Sequence, residues 1–277
     1  MVATPIGNLG DITLRARAVL AAVDAVICED SRVTGRLLRH FGIARPLLVY
    51  HEHNAARIRP RILARLARGD ALALVADAGT PCIADPGYRL VREALSRGVP
   101  VRAVPGPCAA IAALSVCGLP TDRFLFQGFL PSRRSARRRT LAELARVPAT
   151  LVLYEAPHRL RATLADCLEL LGDREACIAR ELTKRFEELR HGRLRDLLAA
   201  LDEESAPRGE MVLVLGPPAA PEPGAEEGEE DALREALREA LGRGSLRDAV
   251  AEVAALTGVS RSRVYRLALE LEGGGEG

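Results

Sequence analysis

Several apolar runs of this chain end in short clusters of residues that can exchange protons. The clusters read CEDSR, HEHN, YEAPHR and ARELTKRFEE, and each follows an apolar run such as DAVI, LLVY or TLVL. Carboxylate, imidazole and amine groups are the usual general acids and bases of enzymes. One such cluster alone is most often a solvated helix start, whereas four of them favour a shared catalytic cleft. The candidates for chemistry are Asp30, His51, Glu155, His158, Glu181 and Lys184.

Lys184 leads these candidates because it is the single lysine among 39 lysine and arginine residues. A codon bias towards arginine explains the bulk of this composition, and a lysine kept against it indicates that a guanidinium does not serve at this position. A buried lysine can lose its proton and act as a base. Alternatively, Lys184 pairs with a phosphate or with Glu188, four residues further on. The sequence leaves both interpretations open.

The segment LALVADAGTPCIADPG, residues 72–87, predicts a strand, a turn-rich loop and the start of a helix. Open α/β proteins bind ligands at such places, beyond the carboxyl end of a parallel strand. The loop has neither the glycine spacing of a dinucleotide fold nor the Gly-Lys-Ser/Thr of a phosphate loop. An ordinary βα connection is the alternative, but the prolines and glycines of this loop favour a shape that fits a ligand.

The run RRSARRR, residues 133–139, carries five arginines. A solvated surface loop is one interpretation, and a salt-sensitive contact with nucleic-acid phosphates is the other. Aromatic residues make up 3% of the chain and tryptophan is absent, so a base-stacking platform is not expected.

Other kinds of site lack support in the sequence. The six cysteines form no CxxC pair, His51 and His53 would face opposite sides of a strand, and no GxSxG occurs. We therefore expect no metal site and no acyl-transfer nucleophile. No apolar run approaches the length of a membrane span, and no signal peptide is recognisable. A soluble, cytoplasmic protein without a membrane partner is expected.

The candidate residues need an α/β scaffold to bring them together. Residues 1–119 alternate short strand patterns (1–4, 25–29, 46–50, 72–76 and 99–104) with amphipathic helices, which predicts a first α/β domain with a largely parallel sheet. Residues 120–216 contain the strand patterns FLFQGFL, ATLVLYEA, EACIARE and GEMVLVLG and predict a second α/β domain. Residues 217–230 read as an acidic, proline-rich linker.

Residues 231–272 predict a small helical domain with a helix-turn-helix pattern. Ser245 and Asp248 have the spacing of a capping box at the start of its second helix. Nucleic-acid binding is one interpretation of this domain, and a docking or dimer-supporting bundle is an equal one. The body of the chain is basic whereas this C-terminal part is acidic, which permits a nucleic-acid partner without proving one.

Taken in order, the motifs VATPIGNLGDITLRA, CEDSRVTGRLL, HEHN, VADAGTPCIADPG, VPGPCAAIAALSVCGLP, FQGFLP, YEAPHRL, ARELTKRFEE and RGEMVLVLG closely resemble those of the ribosomal small subunit methyltransferase I family. This family belongs to the tetrapyrrole-methylase superfamily. The resemblance implies two α/β domains of the tetrapyrrole-methylase (class III methyltransferase) type, with a cofactor cleft between them. It also implies a small C-terminal helix-turn-helix-like unit and a homodimer.

The activity implied by the resemblance is methylation of the 2′-hydroxyl of a cytidine in 16S rRNA of the 30S subunit, with S-adenosylmethionine as the methyl donor. The implied cofactor-binding residues are Pro5, Asp77, Gly79, Thr80, Ile83, Ala84, Ala109, Ala110, Tyr154, Glu155 and Met211. The expected rRNA contacts are Arg32, Arg133, Arg134, Arg137, Arg138, Arg139 and Arg159.

Two other functions are compatible with the sequence. The first is a small-molecule methylase of the same superfamily, acting for example on a tetrapyrrole. The arginine-rich run and the helical domain count against it. The second is a DNA-binding regulator that uses the helix-turn-helix, and the acidic balance of that domain counts against it. Members of the family usually begin with an apolar strand ahead of VATP, so a start codon assigned too late, or a truncated chain, is expected.

Overall fold

The structure is a computed structural model that describes residues 1–203, 209–219, 225–257 and 259–273. The chain divides into two compact units, Met1–Pro218 and Ala219–Gly277. Among the described residues, no helix is both long and apolar enough to cross a membrane.

The first half of the larger unit is built on a parallel sheet of three strands in the order β2-β1-β3. These strands are β1 (Ala25–Cys28), β2 (Leu47–Val49) and β3 (Leu72–Leu74). Helix α2 starts directly after β1 because the side chain of Asp30 accepts the backbone N–H of Arg32. The helices of this half are α1 (Leu14–Ala22), α2 (Ser31–His40), α3 (Ala55–Ala67), α4 (Tyr88–Ser96) and α5 (Ala109–Val116).

The strands predicted at residues 1–4 and 99–104 are not formed. Val2 makes a single parallel bridge with Val104, and Thr4 makes a single antiparallel bridge with Gly79. Proline lacks a backbone N–H, so the prolines at 100 and 105 prevent the second segment from sustaining a ladder. The short pairing still matters, because the backbone hydrogen bonds between Thr4 and Gly79 fix the N-terminal loop beside the loop that follows β3.

The second half contains a mixed sheet of five strands in the order β4-β5-β8-β6-β7. Strands β4 and β5 are parallel, and every other neighbouring pair is antiparallel. The four predicted strands are present, and β7 was missed because its sequence ELRHGR is polar and lies at the sheet edge. The strands are β4 (Phe124–Phe129), β5 (Thr150–Glu155), β6 (Glu175–Arg180), β7 (Glu188–Arg193) and β8 (Met211–Leu215).

Helices cover both faces of this second sheet. On one face, α6 (Arg134–Leu144), α7 (Pro157–Leu171) and α8 (Leu194–Glu203) pack with the strands in a leucine-rich core. On the other face, Ala110, Ala113 and Leu114 of α5 pack against buried residues of the sheet such as Val152 and Val214. Because α5 precedes the second sheet in the chain and yet packs on it, this helix joins the two halves and fixes the cleft between them.

The arginine-rich run is not a loop, because it begins helix α6. Arg137 faces the core together with Leu141, one turn further on, and is only 5% exposed. An Nη atom of Arg137 lies 2.6 Å from the Asp166 carboxylate on α7, and an Nη atom of Arg138 lies 3.1 Å from it. These two arginines therefore join α6 to α7, and we withdraw them from the expected RNA contacts. The exposed members of the run are Arg133, Arg134 and Arg139, of which Arg134 also lies 3.4 Å from the Asp166 carboxylate.

The smaller unit has its own core of three helices, α9 (Ala225–Leu241), α10 (Leu246–Thr257) and α11 (Arg261–Gly273). Ser245 and Asp248 form the predicted cap, with the Asp248 N–H donating to the Ser245 hydroxyl oxygen. Helix α9 begins inside the segment predicted as a linker, since glutamate is a good helix former and acidic residues favour the first turn of a helix. Residues 220–224 of that predicted linker lie outside the described residues.

We expect Asp166→Asn to destabilise the protein by about 3–5 kcal/mol, because it leaves the buried Arg137 without a counter-charge. Burial alone would raise the pKa of Asp166, but hydrogen bonds from Arg137 and Arg138 lower that pKa overall. The stabilisation is therefore present at neutral pH and is lost as the pH falls through the carboxyl range. Chemical denaturation at pH 7.5 measures the effect.

The matched control is Glu169→Gln, since Glu169 also pairs with Arg138 but is 57% exposed. An exposed pair contributes at most about 1 kcal/mol. Equal losses of stability in the two variants would contradict a special role for the buried pair.

Candidate active site

Two cavities lie side by side between the halves of the larger unit. The first cavity has a volume of about 410 Å³, and the second has a volume of about 460 Å³. They share four wall residues, which are Ile6, Asp77, Ala78 and Glu210. Both volumes fall within the range of about 300–1,000 Å³ that is usual for small-molecule sites.

The first cavity is lined by nine of the residues expected to bind a cofactor. Pro5 lines the second cavity instead, and Ala110 is buried in the core, where its N–H donates to the Tyr154 hydroxyl. The nine are Asp77, Gly79, Thr80, Ile83, Ala84, Ala109, Tyr154, Glu155 and Met211.

The loop after β3 is held in a conformation that few side chains tolerate. Cys82 and Ala84 have positive φ angles of 70° and 62°, although neither is a glycine. Gly87 has a φ of 144°, and a Cβ atom there would lie 2.6 Å from the Cys82 sulfur. The Thr80 hydroxyl donates to the Pro107 carbonyl at 3.0 Å and so ties the loop to the start of α5. Backbone strain of this kind concentrates at ligand sites.

Aromatic side chains form one wall of the first cavity. The Tyr154 ring packs edge-on against Phe126 and Phe129, with ring centroids 5.0 and 5.5 Å apart. Burial raises the pKa of Tyr154 to about 12, so its hydroxyl stays protonated. Phe129 was not anticipated from the sequence, although it belongs to the FQGFLP motif.

Carboxylates also line the first cavity. Burial, together with the nearby carboxylates of Glu29 and Asp77, raises the pKa of Asp85 to about 6. Burial, together with the nearby carboxylates of Asp77 and Asp30, also raises the pKa of Glu29. Asp77 is fixed in place because its carboxylate accepts the Asp30 N–H at 3.1 Å. Carboxylates crowded in this way favour a cationic ligand.

Glu155 is held too firmly to act as a free base. It is 2% exposed, and its two oxygens accept the Ala156 N–H at 2.8 Å and the Thr163 hydroxyl at 2.5 Å. Arg159 lies 3.3 Å from the same carboxylate and also donates to the carbonyls of Leu130 and Pro131. Glu155 therefore orders the start of α7, and Arg159 is bound internally instead of facing RNA.

Lys184 lines the second cavity at the boundary with the first. Its Nζ atom lies 2.8 Å from the Glu181 carboxylate and 3.1 Å from that of Glu210. Burial lowers the pKa of Lys184, but the bonds to Glu181 and Glu210 raise it more, so the net shift is upward. The expected base is thus held in its protonated form, and the proposed pairing with Glu188 is absent because Glu188 binds Arg180 and Arg190.

Neighbouring residues restrict the conformation of the Lys184 side chain. A Cβ atom added to Gly7 would lie 2.4 Å from the Lys184 Cγ, so only glycine lets the lysine stem pass. Glu181 has a positive φ of 51°, and its carboxylate also accepts the Glu210 N–H at 3.0 Å. The bonds to Lys184 and Glu210 hold the pKa of Glu181 below its usual range. These three charged residues form what we call the Lys184 cluster.

The remaining candidates lie outside both cavities. Asp30 caps α2 and pairs with Arg32, whose hydrogen bonds lower the pKa of Asp30 to about 2. A carboxylate this acidic is a poor base. His158 is exposed on the first turn of α7, and the Nδ1 atom of His51 is buried without a hydrogen-bond partner among the described residues.

Several residues of the site were not anticipated from the sequence. Asp85 belongs to the loop singled out there, and Glu210 directly precedes the GEMVLVLG strand, so proximity to a motif was the available signal. Arg36 lines the second cavity from α2. Within the described part of the chain, no group of three histidine, cysteine or carboxylate residues is placed to hold a metal.

Residues 1–198 match the family described as Tetrapyrrole (Corrin/Porphyrin) Methylases, and residues 226–272 match the RsmI C-terminal HTH domain. A curated relative from Mesorhizobium japonicum is 47% identical over 98% of this chain and 91% of its own length. A relative from Escherichia coli O157:H7 is 46% identical over 99% of this chain and 95% of its own. Both are named ribosomal RNA small subunit methyltransferase I. The chain belongs to the ribosomal RNA small subunit methyltransferase I family. The resemblance drawn from the motifs is confirmed.

Solved structures support the fold at lower identity. Diphthine synthase has a TM-score of 0.61 at 16% identity and covers 78% of this chain and 88% of its own. The methyltransferase CobJ has a TM-score of 0.59 at 19% identity, with 79% and 93% covered. The predicted tetrapyrrole-methylase fold with a helical C-terminal unit is thereby confirmed.

We expect Asp85→Asn to stabilise the protein at pH 7.5 by about 1–3 kcal/mol, since one pKa unit corresponds to about 1.4 kcal/mol. The folded-state pKa of about 6 lies above the ordinary 3.8, so folding stability falls as the pH rises through this window. Thermal denaturation from pH 4 to pH 8 measures the difference, which shrinks towards pH 4. The exposed Asp122→Asn serves as control, and the same profile in both variants would contradict the assignment.

Proposed function

We propose that this protein transfers a methyl group from S-adenosylmethionine to the 2′-hydroxyl of a cytidine in 16S rRNA of the small ribosomal subunit. The observation that carries the proposal is the pair of adjoining cavities with shared walls. One cavity suits the methyl donor and the other suits the acceptor nucleotide. The names of the curated relatives support ribosomal RNA as the substrate.

The residues of the first cavity fit S-adenosylmethionine. The wall contributes backbone groups from the strained loop and apolar or aromatic side chains, as an adenosyl group requires. No phosphate-binding glycine spacing is present, and this cofactor has no phosphate. When bound, S-adenosylmethionine supplies a methyl group on a positively charged sulfur. Asp77 and Asp85 carry the negative charge that favours such a cation.

The second cavity fits the acceptor because its polar groups suit a ribose hydroxyl. A hydroxyl is a weak nucleophile, and a fixed cation beside it stabilises the negative charge that develops on its oxygen. Lys184, held protonated by its two carboxylate partners, supplies that cation. Glu210 is 74% exposed and lines both cavities, which makes it our candidate to accept the proton.

The function is tested with methyl-labelled S-adenosylmethionine and 30S subunits that lack the modification. We expect the label in 2′-O-methylcytidine after nucleoside digestion and mass spectrometry. Parallel reactions contain protein-free 16S rRNA, a free tetrapyrrole or duplex DNA. Label on a base, or transfer to the tetrapyrrole instead of the subunit, would overturn the proposal.

The homodimer and the cytoplasmic location stay predictions of the resemblance. Light scattering tests the homodimer.

Asp85→Asn also tests the cofactor assignment. We expect the variant to bind S-adenosylmethionine more weakly and to discriminate less against S-adenosylhomocysteine, which lacks the sulfonium charge. In the unchanged protein, affinity for S-adenosylmethionine should fall as the pH drops below about 6, where Asp85 takes up a proton. Calorimetric titration at pH 7.5 and 5.5 measures both effects. A pH dependence that survives in Asp85→Asn would assign it to another group.

Substitutions of Lys184 separate an electrostatic role from a base role. We expect Lys184→Met to lower kcat by about 10²–10³-fold, as the loss of one transition-state donor commonly does. Lys184→Arg keeps the positive charge and should retain more of the activity. The affinity for S-adenosylmethionine should not change in either variant. If both variants lose the same activity while circular dichroism and affinity for S-adenosylmethionine stay unchanged, positive charge alone is insufficient and our electrostatic assignment is wrong.

A further inference from the structure

The smaller unit presents one helix face that its own core leaves uncovered. In α11, Val264, Leu267 and Ala268 are buried against the other helices. The 3.6-residue period then turns the opposite side of the helix outwards. There Tyr265 is 47% exposed and Leu269 is 45% exposed.

Positive charge is concentrated at the start of this face. Residues 261–268 read RSRVYRLA and contain three arginines and no acid, although the C-terminal part of the chain is acidic as a whole. Arg261, Arg263 and Arg266 are exposed, and none of them forms an ion pair with any residue that the structure describes. The nearest acid in the helix sequence with a described side chain is Glu270, one turn beyond Arg266.

Two of the other four arginines of the unit are paired, Arg234 with Asp231 on α9 and Arg243 with Glu252 on α10. Arg238 and Arg247 are exposed and form no ion pair with any residue that the structure describes. The α11 arginines differ from Arg238 and Arg247 in lying on both sides of the exposed Tyr265 with no acid between them. Guanidinium groups without carboxylate partners on a folded helix are available to bind anions, and their planar fork fits phosphate oxygens.

We propose that the α11 face, formed by Arg261, Arg263, Tyr265 and Arg266, binds RNA of the small subunit. This inference rests on the proposed function for its substrate class. The deep, narrow major groove of A-form RNA does not admit a helix, so the arginines would contact phosphates along the backbone. The Tyr265 ring between them is suited to stack on an unpaired base.

The test compares two full-length variants that lose the same charge. In the first, Arg261, Arg263 and Arg266 are changed to serine. In the control, Arg238, Arg243 and Arg247 of the same unit, which are also exposed, are changed to serine. Affinity for 30S subunits and for protein-free 16S rRNA is measured by filter binding between 50 and 200 mM salt, and affinity for S-adenosylmethionine is measured by calorimetry.

We expect the α11 variant to lose about tenfold or more in RNA affinity, and the slope of log affinity against log salt to become shallower by about 2. The control should keep both values, and both variants should bind S-adenosylmethionine normally. Tyr265→Leu should weaken RNA binding about fivefold or more without changing the salt slope, since stacking is not ionic. Circular dichroism checks the fold, and if the triple variant unfolds, Arg266→Ser alone should reduce the slope by about 1.

Four outcomes would overturn the inference. These are an unchanged affinity and slope, an equal loss in the control variant, equal competition by duplex DNA at matched phosphate concentration, and a loss confined to intact subunits. The last result would assign the face to a ribosomal protein. Binding is measured separately from methyl transfer, so failure of the proposed reaction and failure of this face are distinguishable.

Discussion

The register of strand β8 between β5 and β6 is the constraint on which the rest of the site depends. Met211, the first residue of β8, pairs with Glu155 at the end of β5 and with Arg180 at the end of β6. Three strand ends therefore meet at one edge of the sheet, although they come from distant parts of the chain. A slip of one residue would turn every buried side chain of β8 to the opposite face.

This meeting point also sets the electrostatics. Glu210, one residue before β8, accepts a hydrogen bond from Lys184 at the boundary of the two cavities, and the Asp85 carboxylate lines the first cavity alone. The first cavity thus has a negative wall, and the second cavity has a fixed ammonium at its boundary. Under the proposed function, this contrast would favour a cationic methyl donor in the first cavity and a developing anion beside the ammonium, with both sets of charges in place before any ligand binds.

The sequence predicts those parts of the site that depend only on neighbouring residues in the chain. Polar clusters after apolar runs predicted the strand ends, and the turn chemistry of residues 77–87 predicted a shaped loop. Contacts between side chains that lie far apart in the chain could not be predicted from the sequence. The pKa of Lys184 depends on Glu210, which lies 26 residues away and precedes its strand instead of following it. The inward position of Arg137 was readable in principle, since it lies four and seven residues before the buried Leu141 and Leu144.

An arginine-rich composition is therefore a poor indicator of RNA binding in this chain. Arg174 is buried and donates to the carbonyls of Leu171, Gly216 and Ala145, and Arg137 joins two helices through Asp166. In such positions, guanidinium groups satisfy several acceptors at once and serve the core. What distinguishes a binding arginine is the absence of an internal partner at an exposed position. Within the described residues, the start of α11 meets that criterion with three arginines on two consecutive turns. In the run on α6, Arg133 and Arg139 also meet it, whereas the other three arginines pair with Asp166.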